Sequence, residues 1–325
     1  MVMELRTYSQ EKCYLCHTTG HVLHHDLHDY LFGVTGQWHL KRCDNQACGL
    51  VWLDPMPFAE ELHKAYQSYY THHADTDHDL SFMQKFDRAV YRRCNRLFAR
   101  LSGLASQQAQ SQHLFIPPEK TGTLLDIGCG NGRFLKRMAD KGWSVVGTDF
   151  DKEAVEYVKN TYQFEAYIGD LVDLPLSPQR FDIITLQHVI EHVPNPVELL
   201  NHCKTLLKPQ GKIILVTPNV QSWGHQYYQQ HWRGLEPPRH VYLYAPKTLE
   251  ALTQQAGLHT TDLRTTATGA EYILKHSRII EKHSRQQPIK NQFFFSVAWL
   301  QQYYALWKLH NNPLCGEEIY LTVEQ

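Results

Sequence analysis

The chain has 325 residues, 42% of them hydrophobic, which is enough for one large domain and a smaller attachment. Its formal net charge of −1 lacks the basic field that accompanies nucleic-acid binding, so no nucleic-acid partner is expected. The N-terminus has no apolar run typical of a signal peptide, and no uninterrupted apolar stretch reaches the length of about 18 residues that a membrane span needs. These features predict a soluble, cytoplasmic protein.

Four of the eight cysteines lie within the first fifty residues. Cys13 and Cys16 form a C-x2-C pair, and Cys43 and Cys48 form a C-x4-C pair 26 residues later. Because a cytoplasmic chain keeps its thiols reduced, four thiolates around a tetrahedral zinc explain these pairs better than disulfides do. Gly49 follows at once and can turn the chain tightly at the metal. The alternative is four free or buried thiols, since the second pair is wider than usual.

Three segments of different composition divide the chain. Residues 1–56 hold the paired cysteines and are expected to form a zinc-ribbon-like module. Residues 57–119 are interpreted as a helical linker or cap, because "FAEELHKAYQSYY" and "LSFMQKFDRAVYRRCNRLFARLSGLA" have the apolar spacing of amphipathic helices. The Gln/Ser-rich "SQQAQSQHLFIPPEKTG" breaks that pattern and is expected to be a linker ending near Gly122. Residues 120–325 would form the main domain.

The stretch "TLLDIGCGNGRFLKRMADKG" predicts a strand, a glycine-rich turn and a helix. Glycines let the backbone approach a ligand, and the start of a helix offers unpaired N–H groups, so a nucleotide-type site is expected. The glycines at 128, 130 and 132 form G-x-G-x-G, which does not match the dinucleotide fingerprint G-x-G-x-x-G. Asp126 stands just before them, where a carboxylate would oppose a pyrophosphate but suits a cationic ligand.

Strands and helices alternate after this turn, which predicts a doubly wound α/β sheet. "SVVGTDFD" is a strand ending in Asp149, where a carboxylate can accept both ribose hydroxyls. "FEAYIGDL" is a strand that ends in Asp170, "FDIITLQHVIEHV" is an apolar fourth strand, and "GKIILVTPN" is a fifth. A last strand is expected in "GEEIYLTVEQ".

Taken in order, these motifs resemble those of the class I S-adenosylmethionine-dependent methyltransferases, over about residues 120 to 265 and again at the C-terminus. The resemblance implies a seven-stranded Rossmann-like sheet with S-adenosylmethionine as cofactor. It places the methionine end of the cofactor at the turn 128 to 132, the ribose at Asp149, and the adenine at Asp170 and Leu171. Cys129 is expected to pack beside the turn and not to act as a nucleophile. The cofactor residues that the resemblance implies are Asp126, Gly128, Cys129, Gly130, Asp149, Phe150, Asp170, Leu171 and Gln187.

His188, Glu191 and His192 follow the fourth strand with the spacing H-x-x-E-H, which on a helix would place all three side chains on one face. The same letters serve as a zinc-peptidase motif. Here, however, they end a strand of a nucleotide-type sheet, at the edge where ligands bind. The ubiquinone-type O-methyltransferases, which the chain resembles at this point, carry Glu-x-x-Glu-His associated with a divalent ion. This sequence has His188 in place of the first Glu.

Three roles for this triplet stay open. His188 or His192 could take a proton from the acceptor as a general base. A divalent ion could activate the acceptor instead. Alternatively, Glu191 and His192 could cap the next helix and order the loop.

Residues 219–245 are aromatic, proline-bearing and too long for a plain connection, which predicts a lid over the acceptor site. Part of this stretch resembles the corresponding stretch of the ubiquinone-type and polysaccharide-cluster methyltransferases. The candidate acceptor contacts are Trp232, Arg239, His240 and Tyr242, with His240 also a candidate catalytic residue. The alternative is a lid ordered by aromatic packing alone.

Residues 268–312 are interpreted as a helical insertion before the last strand. Its apolar and aromatic stretch "FFFSVAWLQQYYALWKLH" is interrupted by polar residues and is expected to be a core or interface helix. Contact with a membrane surface is the alternative.

The sequence as a whole predicts an S-adenosylmethionine-dependent enzyme that methylates a small-molecule or carbohydrate-type acceptor, on O or C in preference to N. N-terminal zinc modules of this kind also occur in sugar C-methyltransferases, which look similar in outline. The alternative is a catalytically silent protein with a methyltransferase fold, whose zinc module recruits a partner.

Overall fold

The structure is a computed structural model that describes residues 5–66, 82–287 and 297–325. The last four residues of the predicted helix "FAEELHKAYQSYY", the first two of "LSFMQKFDRAVYRRCNRLFARLSGLA" and the first four of "FFFSVAWLQQYYALWKLH" lie outside the described residues. In chain order the strands are β1 (Thr7–Tyr8), β2 (Gly20–Leu27), β3 (Trp38–Cys43), β4 (Val51–Asp54), β5 (Met56–Pro57), β6 (Thr123–Ile127), β7 (Ser144–Asp149), β8 (Glu165–Ile168), β9 (Phe181–Gln187), β10 (Leu207–Pro218), β11 (Tyr242–Leu243), β12 (His259–Thr266) and β13 (Glu318–Glu324). The α-helices are α1 (Phe82–Leu101), α2 (Leu104–Ser111), α3 (Arg133–Ala139), α4 (Lys152–Tyr157), α5 (Pro196–Leu206), α6 (Trp223–Tyr228), α7 (Pro246–Gln255), α8 (Ala270–Ser284) and α9 (Val297–Asn311).

A seven-stranded sheet with the order β12-β13-β10-β9-β6-β7-β8 forms the centre of the molecule. The five strands from β10 to β8 run parallel, and β13 is antiparallel to both of its neighbours. The strand order reverses between β6 and β9, and a doubly wound sheet binds its ligands at the carboxyl ends beside such a reversal. The predicted α/β sheet of seven strands is confirmed, and it places the glycine-rich turn next to the end of the fourth predicted strand.

The edge strand β12 has no clear signal in the sequence. Its residues, "HTTDLRTT", are mostly polar, and only the last two are buried. It forms because β13 offers it a full row of backbone partners, from His259 paired with Glu324 to Thr266 paired with Glu318. Tertiary pairing therefore decides this strand, as is common at the edge of a sheet.

The N-terminal segment forms its own four-stranded sheet, with the order β11-β4-β3-β2. Strand β11 comes from the lid: Tyr242 pairs with Trp52 and Leu243 with Val51. The lid is thereby joined to the cysteine-bearing segment by backbone hydrogen bonds. The two also share a hydrophobic core with the large sheet, since Trp52 and Tyr242 lie in one buried cluster with Leu215.

Two helical expectations between these sheets need correction. The stretch Ala59–Tyr66 is a 3₁₀-helix and not an amphipathic α-helix. The Gln/Ser-rich stretch predicted as a linker is partly helical, because α2 continues to Ser111. Ala and Gln are good helix formers, and Leu104 anchors this helix by being fully buried.

The helical insertion contains α8 and α9. Ala298, Ala305 and Leu309 of α9 are buried, and Gln301 is buried as an acceptor for the Tyr228 hydroxyl at 2.9 Å. The core-helix expectation therefore holds for one side of α9. Among the described helices none combines the length and the apolar character required to cross a bilayer.

Candidate active site

The glycine-rich turn after β6 needs glycine at specific positions. Gly128, Gly130 and Gly132 all have positive φ, at 71°, 50° and 72°. A Cβ on Gly128 would lie 2.6 Å from Val189 Cγ2, so a larger residue would collide with the loop after β9. A Cβ on Gly130 would meet nothing within 4 Å, which leaves that side of the turn open to a ligand.

Asp149, at the end of β7, is tied to this turn. Its Oδ2 accepts a hydrogen bond from the Gly130 N–H at 2.8 Å, and its Oδ1 accepts one from the Asp151 N–H at 2.9 Å. Burial raises the pKa of this carboxyl, although the backbone donors act in the opposite direction. Phe150 follows it with 75% of its surface exposed, an unusual exposure for an aromatic ring.

The loop after β8 contains Asp170 and Leu171, the residues expected to contact the adenine. Asp170 Oδ1 accepts a hydrogen bond from the Val172 N–H at 3.3 Å and so caps the short 3₁₀-turn Leu171–Asp173. Leu171 is buried. The cap fixes the loop at the carboxyl end of β8, on the side of the sheet where Asp149 also lies.

Asp126 of β6 is buried, and its side chain contacts residues of β9. Its Oδ1 accepts hydrogen bonds from Thr185 Oγ1 at 2.6 Å and from Gln187 Nε2 at 3.2 Å. Burial dominates over these bonds and raises the pKa of Asp126 to about 7. A cation placed nearby would favour the ionised carboxylate, in keeping with the cationic ligand expected from the sequence.

Cys129 packs as expected from the sequence. It is buried, its Sγ lies 2.7 Å from where a Cβ on Gly147 would be, and burial raises the pKa of its thiol. A buried thiol with a raised pKa is a poor nucleophile.

His188 stands at the carboxyl end of β9 in the left-handed region, with φ 53°. Its imidazole is half-exposed and lies between two carboxylates, with Nδ1 at 3.4 Å from Glu191 Oε1 and Nε2 at 3.2 Å from Glu318 Oε1. Burial favours the neutral ring, but the hydrogen bonds and charges of these carboxylates outweigh it and raise the pKa of His188 to about 10. The two carboxylates therefore keep this imidazole protonated at pH 7, and the neutral form that can accept a proton increases only as the pH rises towards 10.

Glu318 is a site residue that the sequence analysis missed. It is the first residue of β13, and it comes to His188 because β13 runs antiparallel beside β10, with Pro218 opposite Glu318. Nothing in "GEEIYLTVEQ" marks this glutamate by its spacing.

Glu191 is fully buried behind His188. Its Oε2 accepts a hydrogen bond from Thr217 Oγ1 at 2.9 Å, whereas its Oε1 has His188 Nδ1, at 3.4 Å, as its ion-pair contact. Burial alone would raise its pKa, but His188 and the nearby His192 and His240 hold the pKa of Glu191 at about 2.

His192 and His240 form a pair beside Glu191, with ring centroids 4.7 Å apart. His192 Nδ1 lies 2.9 Å from the Arg239 carbonyl, and His240 Nδ1 lies 2.7 Å from the Gly234 carbonyl. The Tyr66 hydroxyl also lies 2.8 Å from His192 Nδ1, and His240 Nε2 lies 3.5 Å from Glu236 Oε2. Because a carbonyl only accepts, the Gly234 contact places a proton on Nδ1 of His240. Burial lowers the pKa of His240 to about 4, so its ring is neutral at pH 7.

The sequence triplet is therefore divided in space. Ile190–His192 is a single 3₁₀-turn, so the three side chains do not share one face of a helix. Glu191, His192 and His240 bring ligating atoms within 4.8 Å of one another, and His188 is not part of that group. A carboxylate with two imidazoles, each oriented by a backbone carbonyl, is a donor set that suits a divalent transition metal.

Three of the four candidate acceptor contacts in the lid are side chains buried against other parts of the protein. Trp232 is buried and its Nε1 donates to Glu317 Oε2 at 3.1 Å. Arg239 is fully buried and donates to Asp29 Oδ2 at 2.9 Å. Tyr242 is 3% exposed. The alternative interpretation, a lid ordered by packing, describes these three side chains better than acceptor contact does.

The four N-terminal cysteines converge on one point. Cys13 Sγ lies 3.6 Å from Cys48 Sγ, Cys16 Sγ lies 3.3 Å from Cys43 Sγ, and all four sulfur atoms lie within 4.8 Å of one another. Tetrahedral zinc bonds of about 2.3 Å place sulfurs roughly 3.8 Å apart, so the cluster has nearly the required size. Gly49 follows with φ 63°, which is the tight turn expected from the sequence.

Comparison with known proteins decides the family. The model of the methyltransferase domain family matches residues 86–263, which is more than half of the chain. The chain belongs to the class I S-adenosylmethionine-dependent methyltransferases.

Several relatives of this methyltransferase carry the name ubiquinone biosynthesis O-methyltransferase. The protein from Coxiella burnetii (strain RSA 331 / Henzerling II) is 29% identical over 188 residues, covering 53% of this chain and 71% of the relative. The protein from Proteus mirabilis (strain HI4320) is 37% identical over 109 residues, covering 31% of this chain and 44% of the relative.

Solved structures resemble this methyltransferase more distantly. An S-adenosylmethionine-dependent methyltransferase from Archaeoglobus fulgidus is 19% identical, with a TM-score of 0.45, over 70% of this chain and 98% of that chain. A second from Mesorhizobium loti is 14% identical, with a TM-score of 0.45, over 66% of this chain and 96% of that chain.

Proposed function

We propose that this enzyme transfers the methyl group of S-adenosylmethionine to a hydroxyl oxygen of a small-molecule acceptor, with His188 removing the proton. The observation that carries the proposal is a half-exposed imidazole held between Glu191 and Glu318 at the carboxyl end of β9. It stands beside the glycine-rich turn, because β9 is the neighbour of β6 at the reversal of strand order. The names of the O-methyltransferase relatives support oxygen as the methylated atom.

The cofactor residues in this proposal are those expected from the sequence. The turn around Gly130 would receive the methionine end, with Asp126 and Gln187 beside it as the charged and polar groups. Asp149 would accept the ribose hydroxyls, since the N–H of Gly130 holds its carboxylate at the turn. The loop with Asp170 and Leu171, and the exposed ring of Phe150, would border the adenine. Each of these groups lies at the carboxyl edge of β6, β7, β8 or β9.

The proton and the electron pairs balance without another reactant. The acceptor hydroxyl would give its proton to the neutral form of His188, which increases as the pH rises towards 10, while its oxygen bonded to the methyl carbon and the C–S bond broke with its electron pair remaining on sulfur. The sulfonium becomes a neutral thioether, so a positive charge leaves the cleft as one forms on the imidazole. Glu191 and Glu318 stabilise that imidazolium, and in-line positioning supplies much of the acceleration.

A divalent ion held by Glu191, His192 and His240 is the second candidate. The ligating atoms of Glu191, His192 and His240, which lie within 4.8 Å of one another, favour it. Such an ion would supply positive charge toward the acceptor oxygen. Under this alternative, His188 would only order the loop.

A structural zinc at the four cysteines is a further part of the proposal. The distances between sulfur atoms fit it, and a closed four-thiolate site has no open position for substrate. Its role would be to fix the N-terminal sheet, formed by β2, β3, β4 and β11, against the central seven-stranded sheet.

Activity assays on two variants test the role of His188. S-Adenosylhomocysteine release is first measured over a panel of phenolic, sugar and other hydroxyl acceptors to find a substrate. With that substrate, His188→Ala should lower kcat by about 10²-fold to 10⁴-fold, as expected for loss of a general base. Affinity for S-adenosylmethionine should stay within about twofold of the wild type, because His188 lies beyond the cofactor residues. The exposed His259→Ala serves as the matched control and should turn over normally.

Each other outcome has a distinct meaning. Normal turnover by His188→Ala, combined with loss on chelation and rescue by a divalent ion, would assign activation to Glu191, His192 and His240. Loss of cofactor affinity in His188→Ala would show that His188 belongs to the cofactor site. Cofactor binding without turnover of any panel member would favour the silent scaffold.

A further inference from the structure

The middle of the lid is bonded to one buried carboxylate. Glu317 lies immediately before β13, and its side chain is fully buried. Its Oε1 accepts a hydrogen bond from the Gly224 N–H at 2.7 Å, and its Oε2 accepts one from Trp232 Nε1 at 3.1 Å. The Ser222 hydroxyl also bonds this carboxylate. Among the residues that the structure describes, every hydrogen-bond partner of the Glu317 side chain therefore comes from the lid, residues 219–245.

The close approach of α6 to this carboxylate requires glycine at position 224. A Cβ on Gly224 would lie 2.4 Å from Glu317 Oε2 and 2.7 Å from Glu317 Oε1. Any larger residue would displace the carboxylate from its donors.

The backbone just before β13 holds the start of the lid as well. The Asn219 N–H donates to the Glu317 carbonyl at 2.9 Å, and the Trp223 N–H donates to the Cys315 carbonyl at 3.1 Å. Asn219 Nδ2 donates to the Gly316 carbonyl at 2.7 Å. One short segment, residues 315–317, thus contacts the lid through both its backbone and a side chain.

The residue after Glu317 contacts the candidate base. Glu318 places its Oε1 3.2 Å from His188 Nε2. The Glu317 N–H donates to the Thr266 carbonyl at 2.7 Å, which fixes the backbone at the junction with β12. Two consecutive glutamates therefore connect the lid to His188.

We propose that Glu317 is a positioning residue, which holds the lid in place and thereby keeps Glu318 in contact with His188. A carboxylate stays buried only while hydrogen-bond donors satisfy it, so loss of the lid donors would move it towards water. Glu317 and Glu318 share a planar peptide unit, so a displacement of the first is transmitted to the second. The positioning role rests on the proposed function, in which His188 is the base.

Other contacts hold the lid without reaching the candidate base. The Tyr228 hydroxyl donates to Gln301 Oε1 at 2.9 Å, and His225 lies 2.8 Å from His24, measured between their Nε2 atoms. These bonds end on α9 and β2, neither of which contains a candidate catalytic residue. Loosening the lid at Gln301 therefore supplies a matched comparison for Glu317.

The charge of Glu317 sets the conditions for the tests. Burial raises the pKa of Glu317 to about 7, although its lid donors act in the opposite direction, and the neighbouring Glu318 raises that pKa further. Measurements at about pH 8.5 therefore examine the ionised carboxylate.

Hydrogen exchange followed by mass spectrometry at this pH tests the contact between Glu317 and the lid. Glu317→Gln should speed exchange of the lid amides around Gly224 by about tenfold or more, because a neutral amide accepts from these donors less well and offers a donor of its own. Trp232→Phe removes one donor, keeps the carboxylate, and should speed exchange of the same amides. Glu324→Gln, at a surface ion pair with Lys212 on the same strand, is the matched control and should exchange as the wild type does. Unchanged exchange in both lid variants would overturn the proposal, whatever the role of His188.

A double-mutant cycle with the substrate found above tests the positioning of His188. Glu317→Gln should lower kcat by about tenfold in the wild type and by less than about twofold in His188→Ala, because its effect passes through His188. Gln301→Ala should leave kcat within about twofold of the wild type. Unchanged kcat in Glu317→Gln, or equal falls in both backgrounds, would overturn the positioning role. Failure of the base assignment is separate, since it would appear as normal turnover in His188→Ala alone.

Discussion

The single carboxylate of Asp149 is expected to determine whether S-adenosylmethionine binds. It lies at the end of β7, its two oxygens accept backbone hydrogen bonds, and burial raises its pKa. Keeping a carboxylate in so buried a position is costly unless a ligand or donor compensates. We expect ribose hydroxyls to supply that compensation.

Asp149→Ala should therefore abolish measurable binding of S-adenosylmethionine by calorimetry, a loss of at least about 100-fold in affinity if two charge-assisted hydrogen bonds are removed. Asp140→Ala, at an exposed residue that pairs with Lys136, is the control and should bind normally. Unchanged affinity in Asp149→Ala, with an unchanged melting temperature, would contradict the ribose assignment.

At the scale of elements, the lid and the N-terminal sheet meet through a buried histidine pair. His24 of β2 and His225 of α6 place their Nε2 atoms 2.8 Å apart. His225 Nδ1 donates to the Val220 carbonyl at 2.6 Å, so its Nε2 accepts and His24 Nε2 donates. This hydrogen bond requires His225 to be neutral, because a protonated His225 would leave two donors facing each other. Burial, reinforced by repulsion from His225, lowers the pKa of His24 to about 4.

Acid should weaken this contact. The pKa of His24 is about 4 in the folded chain and about 6.5 unfolded, so its contribution is fully present above pH 6.5 and lost as the pH falls through 4. The loss is about 3 kcal/mol in the free energy of unfolding for this one group.

Urea titrations at a series of pH values would measure it, and His24→Gln should show a smaller fall over this range than the wild type. The exposed His21→Gln, which retains the buried pair, should follow the wild type. Identical pH curves for His24→Gln and the wild type would contradict the prediction.

At the scale of the whole molecule, the cysteine cluster, the lid and the central sheet depend on one another. Thr248 of α7 donates to the Cys48 carbonyl at 2.7 Å, and Gln255 donates to the Leu15 carbonyl at 2.8 Å. Cys13 and Cys43 are buried in the same cluster as residues of the central sheet. A metal that fixes the cysteines would therefore also fix the support of the lid.

Elemental analysis of protein purified without chelator should find one zinc per chain. Cys16→Ser should lose that zinc, lower the melting temperature and reduce turnover, because a lost ligand loosens the sheet that carries β11. Cys94→Ser removes a thiol outside the cluster and should keep both zinc and activity. Zinc-free wild-type protein that is stable and active would contradict the zinc proposal.

The parallel strands and the glycine-rich turn could be predicted because their signals are local. The residues that form each strand, turn and helix are consecutive in the sequence. The turn requires a positive φ at Gly128 and Gly130, and glycine adopts that conformation readily. Asp149 and Asp170 were predicted in the same way, since Asp149 ends β7 and Asp170 follows shortly after β8. The cysteine pairs are also a local signal, because the two members of each pair lie close together in the sequence.

Only the tertiary structure decided which distant side chains meet. Glu318 reaches His188 because β13 pairs antiparallel with β10, and His240 reaches His192 because the lid folds back onto the turn after β9. The sequence places these partners 130 and 48 residues apart, as their numbers show. Periodicity and spacing describe neighbours along one element, whereas register between elements is set by packing and backbone pairing over the whole sheet. For that reason the sequence determined the family, the cofactor edge and the cysteine pairs, and the fold determined the environment of the residues that we propose activate the acceptor.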